Sequence, residues 1–217
     1  MRLLIAFLAL LASLATGLLS VRLIRAAAPS QLVEAEVAGA RFAFSPALAR
    51  DEETLAGGLV DRLAFIAVFP EFAPRAAKPS SPGAATRGRD LVFVTISPRD
   101  DGMDPAERPA RLYARFLEAE AFVGPGGLVM RRFEKGSPYD LEQLYIAPPE
   151  GRQFFARCPK PQDPAEGPEE PCLFLYRADA LDVELRFSPA LLEQWEALAD
   201  GARAFLVRLR KGERTRQ

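Results

Sequence analysis

The chain has 217 residues, 49% of them hydrophobic, and a formal net charge of −1. That length suits one domain of ordinary size with a true core, and near-neutral charge removes the electrostatic footprint expected of a nucleic-acid binder. Histidine is missing altogether, which excludes Ser-His-Asp and Cys-His nucleophiles, HExxH zinc sites and imidazole acid–base pairs.

Residues 3–21, LLIAFLALLASLATGLLSV, carry no charge. As a helix they reach about 29 Å, near the hydrocarbon thickness of a bilayer. Arg2 on one side and Arg22 and Arg25 on the other can snorkel into headgroups, so the stretch predicts a single inner-membrane span. A cleaved secretory signal, with Ala26, Ala27 and Ala28 as its small-residue site, is the competing reading. The length of the apolar run and Pro29 just past the cut favour an uncleaved anchor. Positive-inside counting nearly ties; the cysteines discussed below break the tie. The expected layout is an anchor over 1–25, a linker over 26–31, a periplasmic domain over 32–210 and a basic tail over 211–217.

Beyond the linker, VEAEVAGARFAF alternates Val33, Ala35 and Val37 with Glu34 and Glu36, turns at Ala38-Gly39 and returns through Phe44, a hairpin pattern. RLAFIAVF (62–69) and LVFVTISP (91–98) are apolar on both faces and predict strands, the first of them central in its sheet. Between them, residues 70–90 are rich in Pro, Ala, Ser and Gly and read as a long exposed loop. Asp104, Pro105 and Glu107 form a capping-box start for a helix whose regular part runs from Ala110 to Glu118, with Leu112, Tyr113, Phe116 and Leu117 as its buried stripe. GPGG (124–127) is a turn, without the spacing of a dinucleotide fingerprint or the Gly-Lys-Ser/Thr of a P-loop.

Five short strands follow, at 128–133, 142–147, 152–158, 172–178 and 181–187. Their alternation, clearest where Asp182, Glu184 and Arg186 interleave with Leu181, Val183, Leu185 and Phe187, predicts an antiparallel meander. Ser188-Pro189 then opens a long helix with apolar positions at Leu191, Leu192, Trp195, Leu198, Ala199, Ala202, Phe205, Leu206 and Leu209, spaced to lie across the dry face of the sheet. The expected fold class is α+β: an N-terminal transmembrane helix, an antiparallel sheet of roughly seven to nine strands, an internal helix, and a long C-terminal helix on one face.

The only two cysteines bracket CPKPQDPAEGPEEPC, residues 158–172. Cys158 ends one expected strand and Cys172 begins the next, so a hairpin places them opposite each other, roughly 4.5–5.5 Å apart at Cα and within reach of a disulfide. Closing such a loop is worth about 3 kcal/mol in the chain-entropy model, less here because prolines already restrict the unfolded loop. A zinc site would need further Cys or His ligands. A disulfide forms and persists outside the cytoplasm, which places the domain in the periplasm. The bond also projects a stiff acidic loop, Asp163, Glu166, Glu169 and Glu170, as a candidate contact surface alongside the loop at 70–90.

Three clusters are weighed as chemistry. Asp100, Asp101, Asp104 and Glu107 offer hard oxygen ligands for calcium, but EF-hand spacing is missing and a turn and helix cap account for them. Lys135, Ser137, Asp140 and Glu142 could form a Ser-Lys dyad or a carboxylate pair, but an exposed hairpin turn explains the same residues. Arg203, Arg208, Arg210, Lys211, Arg214 and Arg216 suit a helix C-terminus and solvated tail or anionic lipid headgroups. No cofactor or metal follows from any of these.

The stretches ISPRDDGMDPAER, GPGGLVMRRFEKGSPYDLEQLYIAPPEG and LDVELRFSPALLEQWE resemble a group of single-span alphaproteobacterial membrane proteins without an assigned function, over most of residues 33–207. The resemblance implies a bacterial inner-membrane setting and carries no catalytic residue. The expected role is a non-catalytic, membrane-tethered periplasmic domain that binds another envelope protein. The alternatives are a carboxylate-dependent periplasmic hydrolase and an inhibitor or immunity-type envelope protein.

Overall fold

The computed structural model describes residues 32–75, 88–161 and 170–211. The expected span and linker, and the tail from 212, lie outside the described residues. Among the described residues no helix is long and apolar enough to cross a membrane.

The expected hairpin is present: β1 (Val33–Val37) and β2 (Ala40–Phe44) pair antiparallel, Val33 opposite Phe44. Ala38 and Gly39 both adopt positive φ, 49° and 76°, the conformation a two-residue turn needs to match strand twist. A short helix α1 (Glu52–Ala56) follows, and β3 (Gly58–Leu59) then pairs parallel to β1. The hairpin therefore belongs to a separate three-stranded sheet, β2-β1-β3.

The main sheet comprises β4 (Leu63–Val68), β5 (Leu91–Pro98), β6 (Leu117–Val123), β7 (Val129–Phe133), β8 (Glu142–Ile146), β9 (Phe155–Pro159), β10 (Cys172–Ala178) and β11 (Leu181–Phe187), in the order β4-β5-β11-β10-β9-β8-β7-β6. The α+β class and the antiparallel meander from β7 to β11 hold. The main sheet's eight strands fall within the expected seven to nine, while the β1–β2 hairpin stands with β3 in the second sheet instead of joining it.

Two further expectations fail for physical reasons. β4 is an edge strand, not a central one. Its outer side is covered by the chain's own residues: Ala64 N–H donates to the Thr54 hydroxyl (2.8 Å) and Arg50 N–H to Ala64 C=O (2.9 Å). Thr54 is fully buried, and Asp51 caps α1 through Thr54 N–H (2.9 Å). A covered edge reads in sequence like an interior strand. The helix expected up to Glu118 is a run of short turns, Pro105–Glu107, Pro109–Tyr113 and Ala114–Phe116. It gives way at Leu117 to β6, which the sequence reading missed. Asp104 caps Ala106 N–H as expected, but the Glu107 carboxylate pairs with Arg111 (2.7 Å) instead of closing the box.

The C-terminal helix forms as expected. Ser188 caps a 3-10 turn, Pro189–Gln194, which runs into α2 (Trp195–Lys211). Leu191, Leu192, Leu198, Ala199, Ala202, Phe205, Leu206 and Leu209 are all buried in the larger of two cores. Phe205 sits 5.7 Å from both Phe65 and Phe72. Phe72 corrects the exposed-loop reading of 70–90: it is buried, and Val68 bridges Ala73, so the loop's first turn is part of the core. Residues 76–87 lie outside the described residues.

A second, smaller core lies on the opposite face of β7–β9, where Tyr113 and Leu117 pack with Phe133, Leu144 and Phe155. The irregular segment before β6 thus covers only that half of the second face. Replacing Phe205 with Ala should lower the unfolding free energy by about 4 kcal/mol. Val207→Ala, at a side chain 46% exposed, should stay within about 0.5 kcal/mol; urea denaturation of both variants checks the assignment.

Candidate interaction surface

The disulfide forms between Cys158 and Cys172, with Cα atoms 4.1 Å apart and both side chains buried. It stands at the neck of the acidic segment, where Lys160 N–H also bonds Leu141 C=O (2.9 Å). Of the four acids proposed for contact, Glu170 is exposed at the base of the segment. Asp163, Glu166 and Glu169 lie outside the described residues. The neighbouring Leu141 is 78% exposed, so an apolar side chain flanks the base of the acidic segment.

The cluster at Asp100–Glu107 is built around an arginine the sequence reading did not single out. Arg177 on β10 stands directly opposite Asp182 on β11. Its Nε donates to Asp182 Oδ1 (2.6 Å), and its Nη2 to Asp182 Oδ2 (3.1 Å) and Asp100 Oδ1 (2.7 Å). Gly102 C=O accepts from Nη1 (3.3 Å), and Asp100 N–H returns to Asp182 Oδ2 (3.0 Å). Asp100 is therefore committed to an ion pair and a turn, and among the described residues no group of carboxylates could hold a metal ion. Burial would by itself raise the Asp182 carboxyl. The hydrogen bonds from Arg177 and Asp100 and the charges of Arg177 and Arg108 outweigh burial and hold it below the ordinary carboxylate range.

The Lys135–Glu142 cluster resolves into a turn. Asp140 accepts from Gly136 N–H (3.2 Å) and the Ser137 hydroxyl from Tyr139 N–H (3.4 Å). Glu142 pairs instead with Arg157 (3.0 Å). That guanidinium lies over the rings of Tyr113 and Tyr139, at 5.6 and 5.1 Å, so a cation on the second face is neutralised by a carboxylate and stacked on aromatics. Burial pushes the Tyr113 hydroxyl upward despite the neighbouring Arg157 and Arg108. The sequence reading missed Arg157 as it missed Arg177; an arginine at a strand position between apolar neighbours is the signal that could have found both.

The C-terminal arginines also have structural duties. Arg203 donates to Gln153 C=O (2.7 Å), Arg208 to Glu71 C=O (3.0 Å), and Arg210 pairs with Asp179 (2.8 Å). They staple α2 to three loops, a correction to the reading of a solvated or lipid-facing cluster. The Lys211 side chain, Arg214 and Arg216 lie outside the described residues.

The grooves hold no buried carboxylate pair among the described residues. One of about 590 Å³ between the β1–β2 and β10–β11 turns carries Asp179, already paired with Arg210. Another of about 420 Å³ carries Glu196 and Asp200 one helical turn apart; both are exposed, and Asp200 pairs with Arg203 (3.3 Å).

No protein-family model matches the chain, and no curated protein matches it either. Its fold is shared with Smlt3025, an immunity protein of the Stenotrophomonas maltophilia type IV secretion system. The two superpose with a TM-score of 0.56 at 14% identity, over 83% of this chain and 93% of that one. The iron-regulated outer membrane lipoprotein FrpD of Neisseria meningitidis aligns with a TM-score of 0.48 at 9% identity, over 83% of this chain and 92% of its own.

The Arg177 network has a measurable pH signature. A carboxyl whose folded pKa is depressed contributes stability above the unfolded pKa and loses it as pH falls through the folded value. Asp182→Asn should lower the unfolding free energy by about 3 kcal/mol at neutral pH. The gap to the parent should narrow below about pH 4, as read by urea denaturation across pH.

Proposed function

We propose that the protein is a non-catalytic, immunity-type binding domain of the bacterial cell envelope. It is anchored in the inner membrane through residues 3–21, faces the periplasm, and acts by occupying an envelope-active partner protein. The observation that carries this reading is the match of nearly the whole fold to an immunity protein, 93% of whose length is covered. The disulfide supports it: a buried Cys158–Cys172 bond suits an oxidising compartment. The fate of the candidate chemical groups supports it too, since Asp100, Asp140 and Glu142 are each tied into a turn or an ion pair.

An immunity protein works by affinity rather than turnover, so its requirements are a rigid scaffold and an exposed patch of complementary chemistry. The three arginine staples and the disulfide neck provide rigidity of that kind. The segment 159–171, acidic in sequence and with Glu170 exposed at its base, is one region such a partner could meet; electrostatic steering by its carboxylates would speed encounter with a basic partner surface.

The test begins with the full chain purified from membranes in mild detergent and its stoichiometric partner identified. That partner, directed to the periplasm of a host cell, should arrest growth alone and be neutralised when the full chain is co-expressed. A reporter fused to the C-terminus should be active only in its periplasmic form. A partner with no toxicity, or toxicity unchanged by co-expression, would remove the immunity reading.

A further inference from the structure

We infer that the half of the main sheet's second face on β4, β5, β11 and β10, bare among the described residues, is the surface on which the protein partner docks. The partner is expected to present a carboxylate beside an apolar anchor. This deepens the immunity-type reading and rests on it.

The argument starts from register. Ile66, Phe93, Arg186 and Leu173 are successive cross-strand partners, so they form one row on one face of four adjacent strands. Val68 and Leu91 form a pair further along the same face. Ile66, Val68, Leu91, Phe93 and Leu173 are all partly exposed, and none of them packs into either core. At about 4.8 Å between strands the row spans roughly 15 Å, the scale of the central patch of a protein interface.

The row continues onto the covered half, through Leu173 opposite Arg157 and Arg157 opposite Leu144. There the chain supplies its own cover: Tyr113 and Tyr139 stack on Arg157, and Glu142 neutralises it. The other half repeats the composition, and among the described residues it lacks that cover. Arg50 lies over the Phe93 ring at 5.8 Å, and among the described residues it has no carboxylate partner. Arg186 is bonded to Glu184 (2.7 Å) on its own strand. An aromatic ring and arginines set in an apolar, partly exposed patch match the aromatic and Arg enrichment of interface centres, and Arg50, without a carboxylate partner among the described residues, specifies an acidic group opposite it. The carboxylate beside Arg186 on this face, Glu184, is already bonded to it, so a second copy would offer Arg50 little free acid and charge favours a different protein.

The experiment uses the full chain in its native membrane, with p-benzoylphenylalanine replacing Phe93 and, as a control, Val123, which is 94% exposed on the far edge strand. Irradiation should give one heterologous adduct from position 93 and none of the same species from 123. Mass spectrometry should map it to a partner segment containing Asp or Glu. Arg50→Glu should cut its yield at least tenfold and Arg50→Lys by less, with the unfolding midpoint of both variants unchanged. An adduct to residues 76–87 of the same chain, an adduct of two copies, no adduct at 93, or a yield indifferent to Arg50→Glu would each overturn the assignment. The two readings fail separately. A partner crosslinked here but lacking toxicity removes the immunity role and leaves the docking face; a proven toxin that crosslinks only from other faces does the reverse.

Discussion

The eight-stranded sheet depends on one seam. β9 and β10 are paired through a single register position, Leu173 with Arg157, whereas β10 and β11 share seven and β8 and β9 share five. The Cys158–Cys172 bond lies beside that one pair and closes the sheet covalently where hydrogen bonding thins. Aromatic packing supplements it: Phe154 lies 4.6 Å from Phe174, and Phe155 meets the same ring edge-on at 6.3 Å. Phe154 and Phe155, adjacent in sequence, enter different cores, so both cores reach the seam. A break there would separate β4, β5, β11 and β10 from β6–β9 and split the core under α2, which draws residues from both sides.

The same division explains how charge is used. On each half an arginine at a strand position draws distant segments together: Arg177 binds the Asp100–Gly102 turn to β10 and β11, and Arg157 gathers Tyr113, Tyr139 and Glu142. With side-chain exposures of 6% for Arg177 and 13% for Asp182, removing either partner would strand a charge away from water. Exposed ion pairs such as Arg152 with Glu150, at 69% and 64%, contribute little by comparison. The clusters that look chemically active in sequence are thus largely the anchoring points of irregular backbone.

Much of the fold was legible in the sequence because period-2 and period-3.6 patterns survive wherever one face is wet. The β1–β2 hairpin, the β7–β11 meander, the disulfide hairpin and the stripe of α2 all obey that condition. Legibility failed where cover was supplied by something other than regular structure. β4 reads as central because its edge hydrogen bonds are taken by Thr54 and Arg50, residues in no amphipathic pattern. β6, with Ala119, Glu120 and Ala121 all exposed, has no dry face to announce it, and the Tyr113 stripe before it mimics a helix that its tight turns only approximate. The candidate site was less legible still: the strand arginines are ordinary in sequence, and only register shows which face each occupies.

The central claim is that the disulfide holds the seam. Hydrogen exchange of the full-length protein, compared before and after reduction of Cys158–Cys172 at constant pH, measures it directly. Amides of β9 and the start of β10 should exchange about a hundredfold faster once reduced, the loss expected from about 3 kcal/mol. The β5–β11 ladder should change far less. Unaltered protection at the seam after complete reduction would contradict the account.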